Sequence, residues 1–493
     1  MNTKKRIIII GGGVAGLTAG IFAQKSGFRS IIYEKNSFTG GECSGWDKDG
    51  FHIDGCIHWL VGTKEGRGMN RLWNEIGALN GTNIYQPESF ATVMHETGSL
   101  NIWRDKEKLK NQLLEVSPDD RDPIEELMEC IEVFENFEPS VDKPVDLMNI
   151  FEMTGFILRN RKVFGKIRKY SQLPLADYLK RFKSPLIRTA LEQVVPEKYS
   201  THNLFFTLAA FLSDNAGIPR GGSRGMAERL EKNYRELGGT IVAANEIREI
   251  LITGDTVTGV VRQDGTTDLA DFVITACDPD IVFTKLLKGE IIDPMFRKRY
   301  EDSETYPLQT SVLASFSVDA DISSMPRSIV FKPRGLKFEN GTLDILTLKH
   351  FCHEPSFSPE GKSVIVVLMN ADYEWWKYTY QDKDVYNNEK ARLGTDIIKQ
   401  IELRFPELTG KLGVLDIVTP ITYEQSFGAY KGSWISFGNT PGSQPLRHSG
   451  KVEGLKNLYM AGQWFMSPGG LPAAAITGKW TIKRICRENR IKC

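Results

Sequence analysis

The 493-residue sequence contains no apolar run long enough to cross a bilayer. Its longest candidate, Leu204 to Leu212, falls well short of the roughly 20 residues a spanning helix needs. Neither charge is in excess: 62 lysines and arginines balance 62 aspartates and glutamates, so no global field points to nucleic acid or to an acidic partner. Cysteine is sparse, seven residues with no C-x-x-C pair and no Cys/His ligand spacing. That argues against a disulfide framework, a structural zinc site and the redox pair of a disulfide reductase. His350 and His353 flank Cys352, but without a further ligand nearby they predict no metal site. Unpaired thiols fit a reducing cytoplasm. Met1 to Lys5 is basic, yet the apolar run behind it ends in a glycine turn, which marks a core strand rather than a signal peptide. No repeat period or low-complexity tract stands out. A soluble or membrane-peripheral chain with room for about two to four domains remains.

What is present is concentrated at the start. Arg6 to Ile10 reads as a buried parallel strand, and Gly11, Gly13 and Gly16 follow it as a G-x-G-x-x-G turn. The first glycine permits the tight turn, the second lets a pyrophosphate approach the backbone, and the third lets helix pack on strand. Val14 and Ala15 stand where a helix opens, predicted from Ala15 to Ser26 with Gly27 as its C-cap. A second strand, Ser30 to Tyr33, delivers Glu34 and Lys35; a carboxylate at Glu34 accepts from adenosine ribose hydroxyls and repels a 2′-phosphate. An empty glycine-rich turn is the alternative to a bound dinucleotide.

The residues beyond Glu34 favour FAD over NAD. Gly40 and Gly41 bring backbone close to the phosphates of an extended dinucleotide, with Glu42, Cys43 and Ser44 directly after them. Near the other terminus, the strand Asn457 to Ala461 leads through Gly462-Gln463 to Ser467-Pro-Gly-Gly-Leu471-Pro472 and a helix. Gly470 there presents free N–H groups and the positive end of a helix dipole, suited to the charge of a reduced flavin ring. A plain loop–helix junction is the alternative. No second G-x-G-x-x-G follows a strand, so electrons are expected to pass through a quinone, oxygen or a separate reductase.

These two blocks, with FHIDGCIHWL from Phe51 to Leu60, resemble the phytoene desaturase family of FAD proteins, which includes carotenoid desaturases, carotenoid isomerases and retinol saturases. The pattern leans towards the isomerase and saturase branch. The resemblance implies an FAD-dependent oxidoreductase acting on carbon–carbon double bonds of a lipophilic, polyene-like substrate, by saturation, desaturation or isomerisation. A flavin amine oxidase and a non-enzymatic escort of prenylated proteins are the alternatives. It also implies that Ile247 lies by the adenine, and it departs from the wider superfamily at Glu42, often Arg, and at Gln463, often acidic.

The implied fold is α/β: a Rossmann-like FAD domain, a parallel sheet with a β-meander, interleaved with an α+β substrate domain. Residues 1–70, 217–280 and 421–493 are assigned to the first; 71–216, mostly helical, and 281–420, richer in strands, to the second. Cys43, Ser44, Gly45, Asp54, Gly55, His58, Trp59, Gln463, Trp464, Ser467 and Gly469 are expected near the flavin ring. His58 is the candidate for polar or proton-transfer chemistry, with a buttressing role as its alternative. Phe205, Phe206 and Phe211 read as core rather than tunnel. From Phe156 to Tyr170, apolar and basic residues interleave as in an amphipathic helix lying in a headgroup layer, or as a solvated basic face.

Overall fold

A computed structural model gives the fold for residues 4–446 and 448–492. Residues 1–3 of the basic opening segment, and residues 447 and 493, lie outside the described residues. Five strands form a parallel sheet in the order Thr240–Val242, Arg29–Tyr33, Arg6–Ile10, Phe272–Thr275 and Leu458–Met460. Widely separated stretches of chain therefore build one sheet. The central strand explains why: alternate side chains leave opposite faces, and both faces are covered. Ile7 and Ile9 pack under Val14–Lys25 and Gly470–Glu488. Ile8 and Ile10 pack against Ile250, Val257, Val260 and Phe283. Each such isoleucine contributes about 1.5–3 kcal/mol on full burial.

The first helix ends as expected at Gly27, which takes φ +82°. Its N–H bonds to Gln24 O and that of Phe28 to Ala23 O, both at 3.0 Å, closing a Schellman motif. An antiparallel meander of Ile247–Thr253, Thr256–Arg262 and Thr267–Leu269 covers one side of the parallel sheet. A mixed eight-stranded sheet makes the second layer, running Leu412–Val418, Gln309–Val318, Ser363–Asn370, Leu346–His350, Ser328–Phe331, Ser89–His95, Gly98–Trp103, with Ser433–Ile435 also on Gln309–Val318. Two of these strands, Ser89–His95 and Gly98–Trp103, come from the stretch expected to be mostly helical. Their non-local partner, Ser328–Phe331, lies far along the chain.

The segment predicted as one amphipathic helix is two. Ile150–Arg159 and Arg161–Tyr170 meet at Asn160, whose buried side chain accepts from Glu138 N (3.1 Å) and donates to Glu138 O (3.2 Å). That clamp fixes a non-helical φ/ψ of −97° and 10°. Val163 and Tyr170 anchor the second helix in the core, whereas the first buries no residue at all. It leaves Ile150 72% and Phe151 85% exposed. The apolar surface thus lies further towards the N-terminus than the sequence pattern placed it.

Candidate active site

A large cavity of about 1360 Å³ lies outside the carboxyl ends of the parallel strands, where doubly wound sheets bind ligands. Ligand pockets commonly reach about 1,000 Å³, so this one has room for a cofactor and a second molecule. At one end it is walled by Gly11, Gly13, Val14, Ala15, Glu34 and Lys35. A Cβ on Gly16 would overlap the Gly11 carbonyl oxygen, and one on Gly11 would lie 2.8 Å from Ala276 O. Gly16 thus serves the turn from behind and does not line the cavity. Gly40 N donates to Gly12 O at 2.9 Å, holding the second glycine pair against the first. A Cβ at Gly13 or Gly41 would meet nothing closer than 3.4 Å, its neighbours being backbone of the facing glycine pair, and both glycines line the cavity, the cradle a pyrophosphate needs. Glu34 accepts from Gly12 N (2.7 Å) and Asn36 N (2.8 Å), which holds its carboxylate at the strand end. Asn245, Glu246 and Ile247 close this end.

The middle of the cavity joins Gly40, Gly41, Glu42 and Cys43 to Gly462, Gln463, Gly470, Leu471 and Pro472. The two departures from the superfamily pattern meet each other here. Gln463 Nε2 donates to Glu42 Oε2 at 3.2 Å, and its Oε1 accepts from Gly470 N at 2.9 Å. Burial, then the charge of Asp278, pushes Glu42 up to about 8. Burial likewise pushes Asp278 up to about 7, although Tyr300, Tyr430 N and Asp280 N donate to it. A protonated Glu42 removes the conflict between an acid and a pyrophosphate.

Several expected flavin neighbours stand elsewhere. Ser44 does not line the cavity; its oxygen and nitrogen are spent on Gly55 N and Glu42 O. Asp54 also points away. It accepts from Ser223 N (2.7 Å), Ser223 Oγ (2.5 Å), Cys56 N and Ile57 N (3.1 Å each). The acid of the D-G-x-I-H pattern therefore clasps the first turn of Gly222–Glu236, and Gly222 is required because a Cβ there would overlap its carboxylate. Cys43 has a thiol neighbour that spacing did not reveal. Hydrogen bonding with Cys43, followed by burial, raises Cys56 well above its ordinary value. Trp59, Gly55 and Cys56 line the wall, as do Phe206 and Phe211, while Phe205 is fully buried core. Phe206 thus belongs to the tunnel.

His58 faces the cavity with its Nδ1 buried and unpartnered. Burial and the nearby charges of Lys349 and Arg327 push it well below its usual range, so it stays neutral rather than titrating near neutrality. Ser311 Oγ, Arg327 Nε, Trp434 Nε1 and His202 Nδ1 are likewise orphaned on the cavity wall. Each of these unmet donors and acceptors calls for a partner, water or ligand. Arg327 and Lys349 escaped the sequence reading, because a Thr347/Lys349 alternation on a strand resembles a solvated face. His350 Nε2 donates to Met325 O and His353 stacks on Tyr85, so the two flanking histidines diverge. Beyond the cradle the walls turn apolar, with Phe134, Phe137, Val163, Ile167, Ala210 and Leu368.

A dinucleotide cradle continuous with a largely apolar cavity is the arrangement of a flavin-dependent oxidoreductase. The chain belongs to the flavin-containing amine oxidoreductase family, which it matches over residues 14–485, and FAD is its cofactor. It is 23% identical over 526 aligned residues to a 4,4′-diapophytoene desaturase of Methylomonas sp., covering 100% of this chain and 97% of that one. A prolycopene isomerase of an Oncidium hybrid cultivar is 22% identical over 505 residues, 98% of this chain and 84% of its own. Among solved structures, an oxidoreductase from Methanosarcina mazei superposes with TM-score 0.60 at 16% identity, covering 98% and 100% of the two chains. Cyclohexylamine oxidase from Brevibacterium oxydans gives 0.59 at 13%, covering 99% and 100%.

Proposed function

We propose that the protein is an FAD-dependent oxidoreductase acting on carbon–carbon double bonds of a long, lipophilic, polyene-like substrate. The observation that carries this reading is the continuity of the cavity: the glycine cradle and the Phe134, Phe137, Ile167 and Phe206 tunnel are one space. Residues 1–70, 217–280 and 421–493 hold the cofactor on this reading, and 71–216 and 281–420 the substrate. FAD, when bound, supplies hydride exchange. The chain's own part is to exclude water, align an apolar chain and present Gln463, which accepts the Gly470 N–H, at the cofactor. The carotenoid desaturase and isomerase relatives point the same way. With no second dinucleotide motif, electrons are exchanged with a quinone, oxygen or a separate reductase.

An amine substrate fits poorly. A cation would be repelled by Arg327 and Lys349 at their part of the wall, although Glu42, Glu135, Glu138 and Asp278 also line the cavity. The apolar face of Ile150–Arg159, with exposed Ile150, Phe151, Ile157 and Leu158, stands beside a helix carrying exposed Arg161, Lys162, Arg168 and Lys169. Val163 and Ile167 of that second helix line the cavity. We take this surface to rest on an anionic bilayer, from which a lipophilic substrate enters. Anaerobic incubation of the holoenzyme with apolar polyenes, flavin oxidised and then reduced, tests the main reading. Loss, gain or rearrangement of double bonds by mass and absorption is the expected result. No product from any polyene in either state, alongside peroxide release with amines, would replace it.

A further inference from the structure

The cavity carries a feature that a hydrocarbon substrate leaves unexplained. Arg327 and Lys349 stand on neighbouring strands, where Ser328 pairs with Lys349 in register and His350 N donates to Arg327 O at 3.0 Å. Both side chains face the cavity. Arg327 Nη2 is tied to the His58 carbonyl at 3.1 Å, and Nε has no acceptor. Phe351 flanks the guanidinium, its ring centroid 5.9 Å from Cζ. Among the described residues Lys349 makes no ion pair, and neither does Arg327. Asp54, the carboxylate whose charge Arg327 feels, is already spent on Ser223, Cys56 and Ile57.

Two enclosed cations without a counter-ion are an expensive arrangement, since burial penalises each and each repels the other. The strain is visible in both: burial and Arg327 push Lys349 down to about 7, and burial pushes Arg327 down to about 10. Ser311, with its hydroxyl unpartnered, Ser328 and Thr347 also line the cavity. The backbone that suits FAD phosphates lies elsewhere on the wall, at Gly13, Val14 and Ala15.

Resting on the function proposed above, we infer that Arg327 and Lys349 form a head-group site for a terminal carboxylate, so that the substrate is a long apolar chain ending in an acid. A guanidinium with one edge free matches the planar, two-oxygen shape of a carboxylate. The ammonium of Lys349 supplies the second charge, and the neutral imidazole of His58 a further hydrogen bond. Head-group capture fixes how far along the chain the flavin meets a double bond, which sets regioselectivity.

The test uses the FAD-loaded protein and cis-parinaric acid, a fluorescent polyene acid, against its methyl ester. The acid is expected to bind at least tenfold more tightly than the ester. Lys349→Met and Arg327→Met should each remove most of that preference while leaving ester affinity unchanged. Lys349→Met alone keeps the test decisive if the arginine variant misfolds, because among the described residues the Lys349 side chain makes no hydrogen bond to the protein. Equal binding of acid and ester, or a preference that survives Lys349→Met, overturns the inference. So does a shift in flavin spectrum in both variants with acid preference intact, which would assign the cations to the cofactor. Turnover of neutral polyenes without any acid preference would sink this site alone. Tight acid binding with no double-bond chemistry would sink the proposed reaction and leave the site.

Discussion

Asp54 belongs to a motif that invites a catalytic role, and its surroundings assign it another. It accepts four hydrogen bonds, three of them from buried backbone N–H groups. One of these, from Ser223 N, satisfies a free donor in the first turn of Gly222–Glu236, as an N-cap would. Asp54→Ala strands Ser223 N, Ser223 Oγ and Cys56 N at once, while Ile57 N keeps Ser223 Oγ as an acceptor at 2.8 Å. Each buried donor left unmet costs about 1–3 kcal/mol, and neighbours do not add fully, so a loss of about 3–5 kcal/mol is expected. Asp54→Asn keeps one acceptor oxygen but turns an amide towards Ser223 N, and should cost about 1–3 kcal/mol. Because Cys56 and Ile57 lead into the flavin-facing wall, both variants should also release FAD more readily. Thermal and urea unfolding of the apoprotein, which holds no cofactor to confound the reading, measures the first effect directly. Apoprotein stability unchanged in Asp54→Ala, with turnover abolished, would refute the clasp and return the residue to the chemistry.

Gly16→Val should abolish FAD binding outright, since even a Cβ there overlaps the Gly11 carbonyl; a yellow variant that releases FAD on denaturation would contradict the cradle. Glu42 is raised to about 8 from an ordinary 4.5, so the folded apoprotein holds a proton there that the unfolded chain gives up, and this contribution falls as pH rises from about 5 to 8. Glu42→Gln should match the native apoprotein at pH 5 and gain on it by up to about 1.4 kcal/mol per pH unit towards pH 8; parallel pH–stability curves would show the group ionised throughout. Phe151→Asp with Ile150→Asp should abolish flotation with anionic vesicles while leaving the melting temperature unchanged, as neither side chain is buried; undiminished flotation would remove the membrane surface. Asn160→Ala should destabilise by about 1–3 kcal/mol by orphaning Glu138 N and O, read by urea unfolding, and a wild-type midpoint would show the break between the two helices needs no clamp.

The cofactor end was legible because its physics is local. A strand, a turn that tolerates no Cβ and a helix start occupy adjacent residues, so Gly11, Gly13, Gly16 and Glu34 announce their geometry in order. Gly470 and Gln463 were legible for the same reason, although their meeting with Glu42 required the fold. What the sequence concealed depends on contacts between distant segments. Asp54 reads as chemistry until Gly222 and Ser223 are brought against it. Cys43 reads as solitary until Cys56 folds back beside it. Lys349 is the sharpest case. Leu346, Leu348 and His350 alternate with Thr347 and Lys349, the pattern of a half-buried strand with one wet face. That pattern alone would assign Lys349 to solvent, whereas in the fold it lines the cavity. Alternation reports that one face of a strand is polar; only the fold reports what that polarity faces. In a protein that stores its ligands inside, a polar face turned inward is where specificity is built, so the residues most easily dismissed as solvated are the ones that decide what the tunnel accepts.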